Sequence, residues 1–171
     1  MGLAYDLLVS PAATAVDDAE RVRAAVWGDR FPVDPVRIAR AFGMRVLFAS
    51  LAPHVPGALV KERGHDPVIV LNEADSSSRK RFTCAHELGH FSESSDTPET
   101  YEYFDVRDSL AVASDTDPEE AYANAFAASL LMPARDVRRL HAKGLRELEL
   151  ALHFDVAREV MSRRLTDLGL A

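Results

Sequence analysis

Two histidines stand four residues apart in the chain, with a glutamate directly after the first: His86-Glu87-Leu88-Gly89-His90. On a helix, four residues advance about 400° and about 6 Å, so both imidazoles leave one face and can converge on one ion. Glu87 is offset from His86 by about 100° around the same helix. There a carboxylate misses the metal yet reaches water activated beside it, and can take its proton as general base. Two neutral imidazoles plus one carboxylate suit zinc with an open fourth position, and manganese or iron accept the same donors. The flanking residues Phe82-Thr83-Cys84-Ala85 and Phe91 are apolar or small, which marks a helix meant for burial. Buried histidines need partners, and a metal supplies one.

The third donor has to come from elsewhere. Glu120 opens an otherwise apolar stretch, Ala121-Tyr122-Ala123-Asn124-Ala125-Phe126-Ala127-Ala128. One turn on, Asn124 shares its face and suits the outer-shell task of holding a histidine's second nitrogen. The same position has a structural explanation. With Asp117 as N-cap and Pro118 first in the helix, Glu120 falls third, where capping-box glutamates sit. From the residues alone, ligand and cap are equally good readings of Glu120.

Several elements must position these groups. Asp17 to Trp27 has apolar residues at helical spacing and ends at Gly28; Pro32 to Phe42 reads as a second helix, capped by Asp34, with Pro35 first and Gly43 as its stop. Met44 to Ala49, Gly57 to Lys61 and Val68 to Asn72 are short strand-like runs between turn residues. The His86 helix is expected to start within Ser76-Ser77-Ser78 and run to about Phe91. A long acidic connection, Ser92 to Thr116, follows; at that length it is expected to hold local structure or cover a site. A helix then opens at Asp117-Pro118, Met132-Pro133 interrupts it, and short helices follow at Ala134–Ala142, Leu145–Leu152 and Val156–Asp167. Helices, three strands, then helices only is the segregated order of an α+β fold. The division read here is a domain over 1–133 and a helical extension over 134–171, helix-turn-helix-like and packed on the core.

Composition narrows the function classes. The chain has 171 residues, 47% hydrophobic and 27% charged, with a net charge of −7, as in an ordinary soluble domain. Ser92 to Glu120 holds ten acidic residues and one basic, whereas Ala134 to the end holds eight basic and six acidic. An acidic chain offers no electrostatic footprint for a phosphate backbone, so direct nucleic-acid binding is not expected. No apolar run approaches the roughly 20 residues of a membrane span. The opening Met1-Gly2-Leu3-Ala4-Tyr5-Asp6 lacks the basic and apolar regions of a signal peptide, and a single cysteine, Cys84, rules out an internal disulfide framework. The cytoplasm is the expected compartment.

Taken together, Arg81-Phe82-Thr83-Cys84-Ala85-His86-Glu87-Leu88-Gly89-His90-Phe91, Asp117-Pro118-Glu119-Glu120 and Ala123-Asn124-Ala125-Phe126-Ala127-Ala128-Ser129-Leu130-Leu131-Met132-Pro133 resemble the ImmA/IrrE family of metallo-endopeptidases. Segments near Pro32 to Ala39, Gly57 to Leu59 and Leu150 to Val156 are similar as well. The resemblance implies a zincin-like domain with a small three-stranded sheet packed on the active-site helix. It implies zinc on His86, His90 and Glu120, Glu87 as catalytic base, and Glu119 as a first-turn residue facing the helix dipole. It also implies the substrate class: a helix-turn-helix repressor or antitoxin, cut to release stress-response, mobile-element or toxin–antitoxin genes. The chain departs from many relatives at Tyr122, where an acidic residue is common, and at Ser92-Glu93-Ser94-Ser95, where a histidine is common.

Other residues carry weaker expectations. Cys84 reads as a core residue, and His54, His65, His141 and His153 as surface histidines. Tyr101, Tyr103 and Tyr122 each have a hydroxyl that suits an oxyanion, though none is singled out. Arg79, Lys80 and Arg81 read as a solvated first turn, with a brace for the fold as the alternative for Arg81. Zincins commonly place a sheet edge beside the cleft, where substrate adds as a strand, and Val68 to Asn72 is the expected edge. The rival readings are a zinc-holding module that sequesters a repressor without cutting it, and a DNA-binding regulator acting through the C-terminal helices.

Overall fold

The computed structural model describes residues 15–93, the backbone strand 101–104, and residues 117–171. Helix α1 (Ala15–Val26) buries Ala19 and Val22 and ends where Gly28 takes φ +80°. Helix α2 (Pro35–Ala41) starts as its cap dictates: the Asp34 carboxylate accepts from the Arg37 N–H at 3.1 Å, and Pro35, with no N–H to satisfy, comes first. Pro32 therefore precedes this helix. Gly43, at φ +81°, turns the chain into the sheet, a conformation that glycine adopts without steric cost.

Strands β1 (Arg45–Ala49), β2 (Gly57–Lys61) and β3 (Val68–Asn72) form where expected, and a fourth, β4 (Tyr101–Phe104), joins them from within the acidic connection. The sheet is thus four-stranded rather than three-stranded, in the order β1-β3-β2-β4. β3 runs parallel to β1, with Arg45 opposite Val68, and antiparallel to β2, with Leu59 opposite Ile69. β4 pairs antiparallel with β2, with Ala58 opposite Phe104. The expectation that Val68 to Asn72 is an edge is therefore wrong. β3 is hydrogen-bonded on both sides and buries Ile69 and Leu71 completely, so the edges among the described residues are β1 and β4. Residues 94–100 and 105–116 of the acidic connection lie outside the described residues.

Helix α3 (Ser77–Glu93) follows β3, with Ser76 Oγ accepting from the Arg79 N–H at 3.3 Å. Every residue from Thr83 to Ser92 is buried. Helices α4 (Pro118–Leu131), α5 (Ala134–Ala142), α6 (Glu147–Phe154) and α7 (Arg158–Asp167) complete the chain. α6 and α7 are separated at Asp155, which adopts φ 52°. One continuous apolar cluster runs from Ala19 and Val22 through Leu88, Phe91, Phe126 and Leu130 to Leu150, Phe154 and Met161. The architecture is α+β, with α3 between the sheet and the other helices. Among the described residues no helix is long and apolar enough to cross a membrane.

Candidate metal centre

Where α3 crosses α4 the two backbones come unusually close. A Cβ on Gly89 would lie 2.9 Å from Ala123 Cα and 3.2 Å from Phe126 Cβ, so only glycine fits. The close approach brings the first turn of α4 against the histidine face of α3. His86 and His90 are buried, and their Nε2 atoms lie 3.0 Å apart. The Glu120 carboxylate meets both, at 3.4 Å from His86 Nε2 and 3.3 Å from His90 Nε2. Its carboxyl is held well below the usual carboxylate range by hydrogen bonds to His86 and His90, against the opposing effect of burial. Asp117 caps α4 by accepting from the Glu119 N–H at 3.1 Å, while the Glu120 carboxylate turns toward the histidines. Glu119 is exposed.

These donors form a group that suits a metal ion. Donors about 2.0–2.1 Å from a tetrahedral zinc lie about 3.3 Å from one another, and the spacings of 3.0–3.4 Å match. Asn124 adds the orientation. Its Oδ1, an acceptor only, lies 3.1 Å from His86 Nδ1, so Nδ1 must carry the proton. In the neutral imidazole that a metal binds, the Nε2 lone pair of His86 then faces the other two donors.

Glu87 is completely buried one position along from His86. Beside it, β2 passes close to α3 at Gly57. A Cβ there would lie 2.5 Å from Thr83 Cγ2 and 3.5 Å from Glu87 Oε1. Gly57 therefore leaves the space that the Thr83 methyl occupies, one turn before Glu87 on α3. The loop leading into Gly57 is tied by buried Asn72, whose Nδ2 donates to Val55 O at 2.9 Å and Ala52 O at 3.3 Å.

Other expected residues fall away from this centre. The Tyr122 hydroxyl donates to Asp18 of α1 rather than to the donor group. Burial, then that hydrogen bond, raises its pKa above the ordinary value, so it stays a protonated donor. Of Tyr101 and Tyr103 only the strand backbone is described. Cys84 is fully buried and its thiol pKa is pushed up, chiefly by burial, as fits a core residue. His54, His65 and His153 are exposed and His141 is half-buried. The first turn of α3 is not simply solvated: Arg81 is half-buried and takes the alternative role of a brace, its guanidinium donating to Val33 O at 2.6 Å and Asp155 O at 3.0 Å. Sequence reasoning missed Asp18, Gly57 and Asn72. Asp18 looks like any acidic residue in a helix's first turn, and only the fold brings Gly57 to Glu87.

No curated protein matches the chain. A sequence model of the peptidase family described as the IrrE N-terminal-like domain matches residues 39–166, a span that contains the whole donor group, Glu87 and Asn124. Because that match covers well over half of the 171 residues, the chain belongs to this family of metallopeptidases.

Proposed function

We propose that the protein is a zinc-dependent endopeptidase of the cytoplasm whose substrate is a helix-turn-helix repressor or antitoxin. The observation that carries this reading is the Glu120 carboxylate lying 3.3 and 3.4 Å from the two histidine Nε2 atoms. It supports His86, His90 and Glu120 as the residues that hold the ion, with Asn124 orienting His86. When bound, zinc supplies Lewis-acid polarisation of the scissile carbonyl and lowers the pKa of water. Glu87 accepts the proton of the attacking water and then donates it to the departing amine. Burial keeps the Glu87 carboxylate away from bulk solvent, which strengthens its interaction with a charged partner. The substrate class is supported by the likeness to the ImmA/IrrE motifs, and the compartment by a lone, buried cysteine that needs no oxidation.

The test uses the zinc-loaded chain and the helix-turn-helix protein encoded beside it. Wild type is expected to cut that protein at one bond, and Glu87→Gln to cut it about 10²–10⁴-fold more slowly. A neighbour that stays intact with wild type removes the assigned substrate. A biological effect that survives Glu87→Gln unchanged replaces cleavage with sequestration.

A further inference from the structure

The Tyr122 hydroxyl sits where three helices meet. It donates to Asp18 Oδ2 of α1, and it lies 3.5 Å from Ser92 Oγ near the end of α3. Asp18 is buried, and its other carboxylate oxygen takes the Arg21 guanidinium. Tyr122 is two residues beyond Glu120, and Ser92 is two residues beyond His90. One polar junction therefore ties the helix that carries Glu120 to α1 and, through the same hydroxyl, to the end of the helix that carries both histidines. The chemistry assigned to Glu87 and the donor group uses none of these hydroxyls and carboxylates.

The geometry says what the junction does. Glu120, Ala123 and Asn124 occupy the face of α4 that meets α3. Tyr122 lies about 200° around the helix from Glu120, on the flank toward α1. The contact of Gly89 with Ala123 sets how closely α3 and α4 approach, whereas the roll of α4 about its own axis is resisted by its buried Phe126 and Leu130, by Asn124 on His86, and by Tyr122 on the far flank. A side chain reaching about 5–6 Å from a helix axis moves about 2 Å when the helix rolls by about 20°. That movement is enough to carry the Glu120 carboxylate out of reach of both imidazoles.

We propose that the Tyr122–Asp18 hydrogen bond is a positioning clamp: it stops α4 from rolling and so holds Glu120 in line with His86 and His90. Tyr122 is a positioning residue, since its hydroxyl is engaged by α1. The inference rests on the metal reading of the site, not on proteolysis.

Zinc affinity tests it, measured by competition with a chromophoric chelator on the full chain stripped of metal. Tyr122→Phe and Asp18→Ala are each expected to weaken zinc about 5–10-fold, at or below the low end of the loss on removing a group that holds a ligand directly. Asp18→Asn keeps an acceptor and is expected to stay within about threefold of wild type. The double variant Tyr122→Phe/Asp18→Ala is expected to bind no more weakly than the worse single variant, because both changes break one bond. Affinity within twofold of wild type for Tyr122→Phe, or losses that add in the double variant, would overturn the clamp. Circular dichroism of the metal-free forms reports whether each variant folds. If Asp18→Ala does not, the contrast between Tyr122→Phe and Asp18→Asn decides alone. A wild type that binds no zinc removes the clamp along with the metal reading. A wild type that binds zinc but cuts no protein removes only the proposed proteolysis.

Discussion

Asn124 decides which nitrogen of His86 faces the other donors. Its Oδ1 sits 3.1 Å from His86 Nδ1, which in the neutral imidazole leaves Nε2 unprotonated for an ion. Without that acceptor the imidazole is free to turn or change tautomer. Asn124→Ala is therefore expected to weaken zinc about 10–100-fold, with Asn124→Asp close to wild type. Chelator competition at neutral pH checks this, and equal affinities for all three proteins would contradict it. The same scale shows what the residues could reveal by themselves. His86, Glu87 and His90 were legible because a single helical turn holds them, so sequence spacing is already spatial spacing. Glu120 was not, because thirty residues separate it from His90 and its place third in a helix equally suits a cap. What separates the two readings is a direction in space: the carboxylate points at the histidines while Asp117 alone caps the helix.

At the scale of elements, the centre depends on how closely α3 and α4 can approach. Gly89 has no positive φ to explain it; its reason is the Ala123 backbone, 2.9 Å from where a Cβ would stand. Gly89→Ala must push α4 away or distort α3, at a cost of about 1–3 kcal/mol, as for other overpacked cores. The displacement also separates Glu120 from the histidines. The variant is thus expected to lose both stability to denaturant and zinc affinity, measured on one preparation. Loss of stability with zinc affinity unchanged would mean that the crossing does not set the donor spacing. The elements themselves were readable where local chemistry fixes them, as Asp34 and Pro35 start α2 and Gly43 follows it. The place of β3 was not. Its burial pattern suits either an edge or an interior strand, and strand order is decided by pairing with β1 and with β2 beyond the loops. β4 was hidden for a related reason. Tyr101–Phe104 is a short run within an acidic stretch, and its pairing with Ala58–Lys61 spans some forty residues.

For the whole molecule, Arg81 joins parts of the chain that the sequence keeps far apart. From the start of α3 its guanidinium reaches Val33 O just before α2, and Phe154 O and Asp155 O at the end of α6. Its Nε also lies 3.2 Å from the Asp155 carboxylate. The C-terminal helices add apolar burial on the same core: Leu150, Phe154 and Met161 are completely buried. Arg164 secures them further by donating to Met132 O at 3.1 Å. If these contacts make the helices part of one cooperative unit, removing Arg81 must lower the stability of everything, not release the tail alone. Arg81→Met keeps the aliphatic stem and strands three carbonyls, each worth up to about 1–3 kcal/mol when left without a donor and less where water enters. A total of about 2–4 kcal/mol corresponds to a fall of roughly 5–15 °C in Tm for a chain of this size. Arg81→Lys is expected to recover only part of the loss, since one ammonium cannot reproduce the planar fork that spans these carbonyls. Calorimetry of the metal-free chain checks both points. A single transition shifted down in Arg81→Met fits a staple across the molecule. An early separate transition, with the main one unmoved, would show that α6 and α7 unfold independently of the rest.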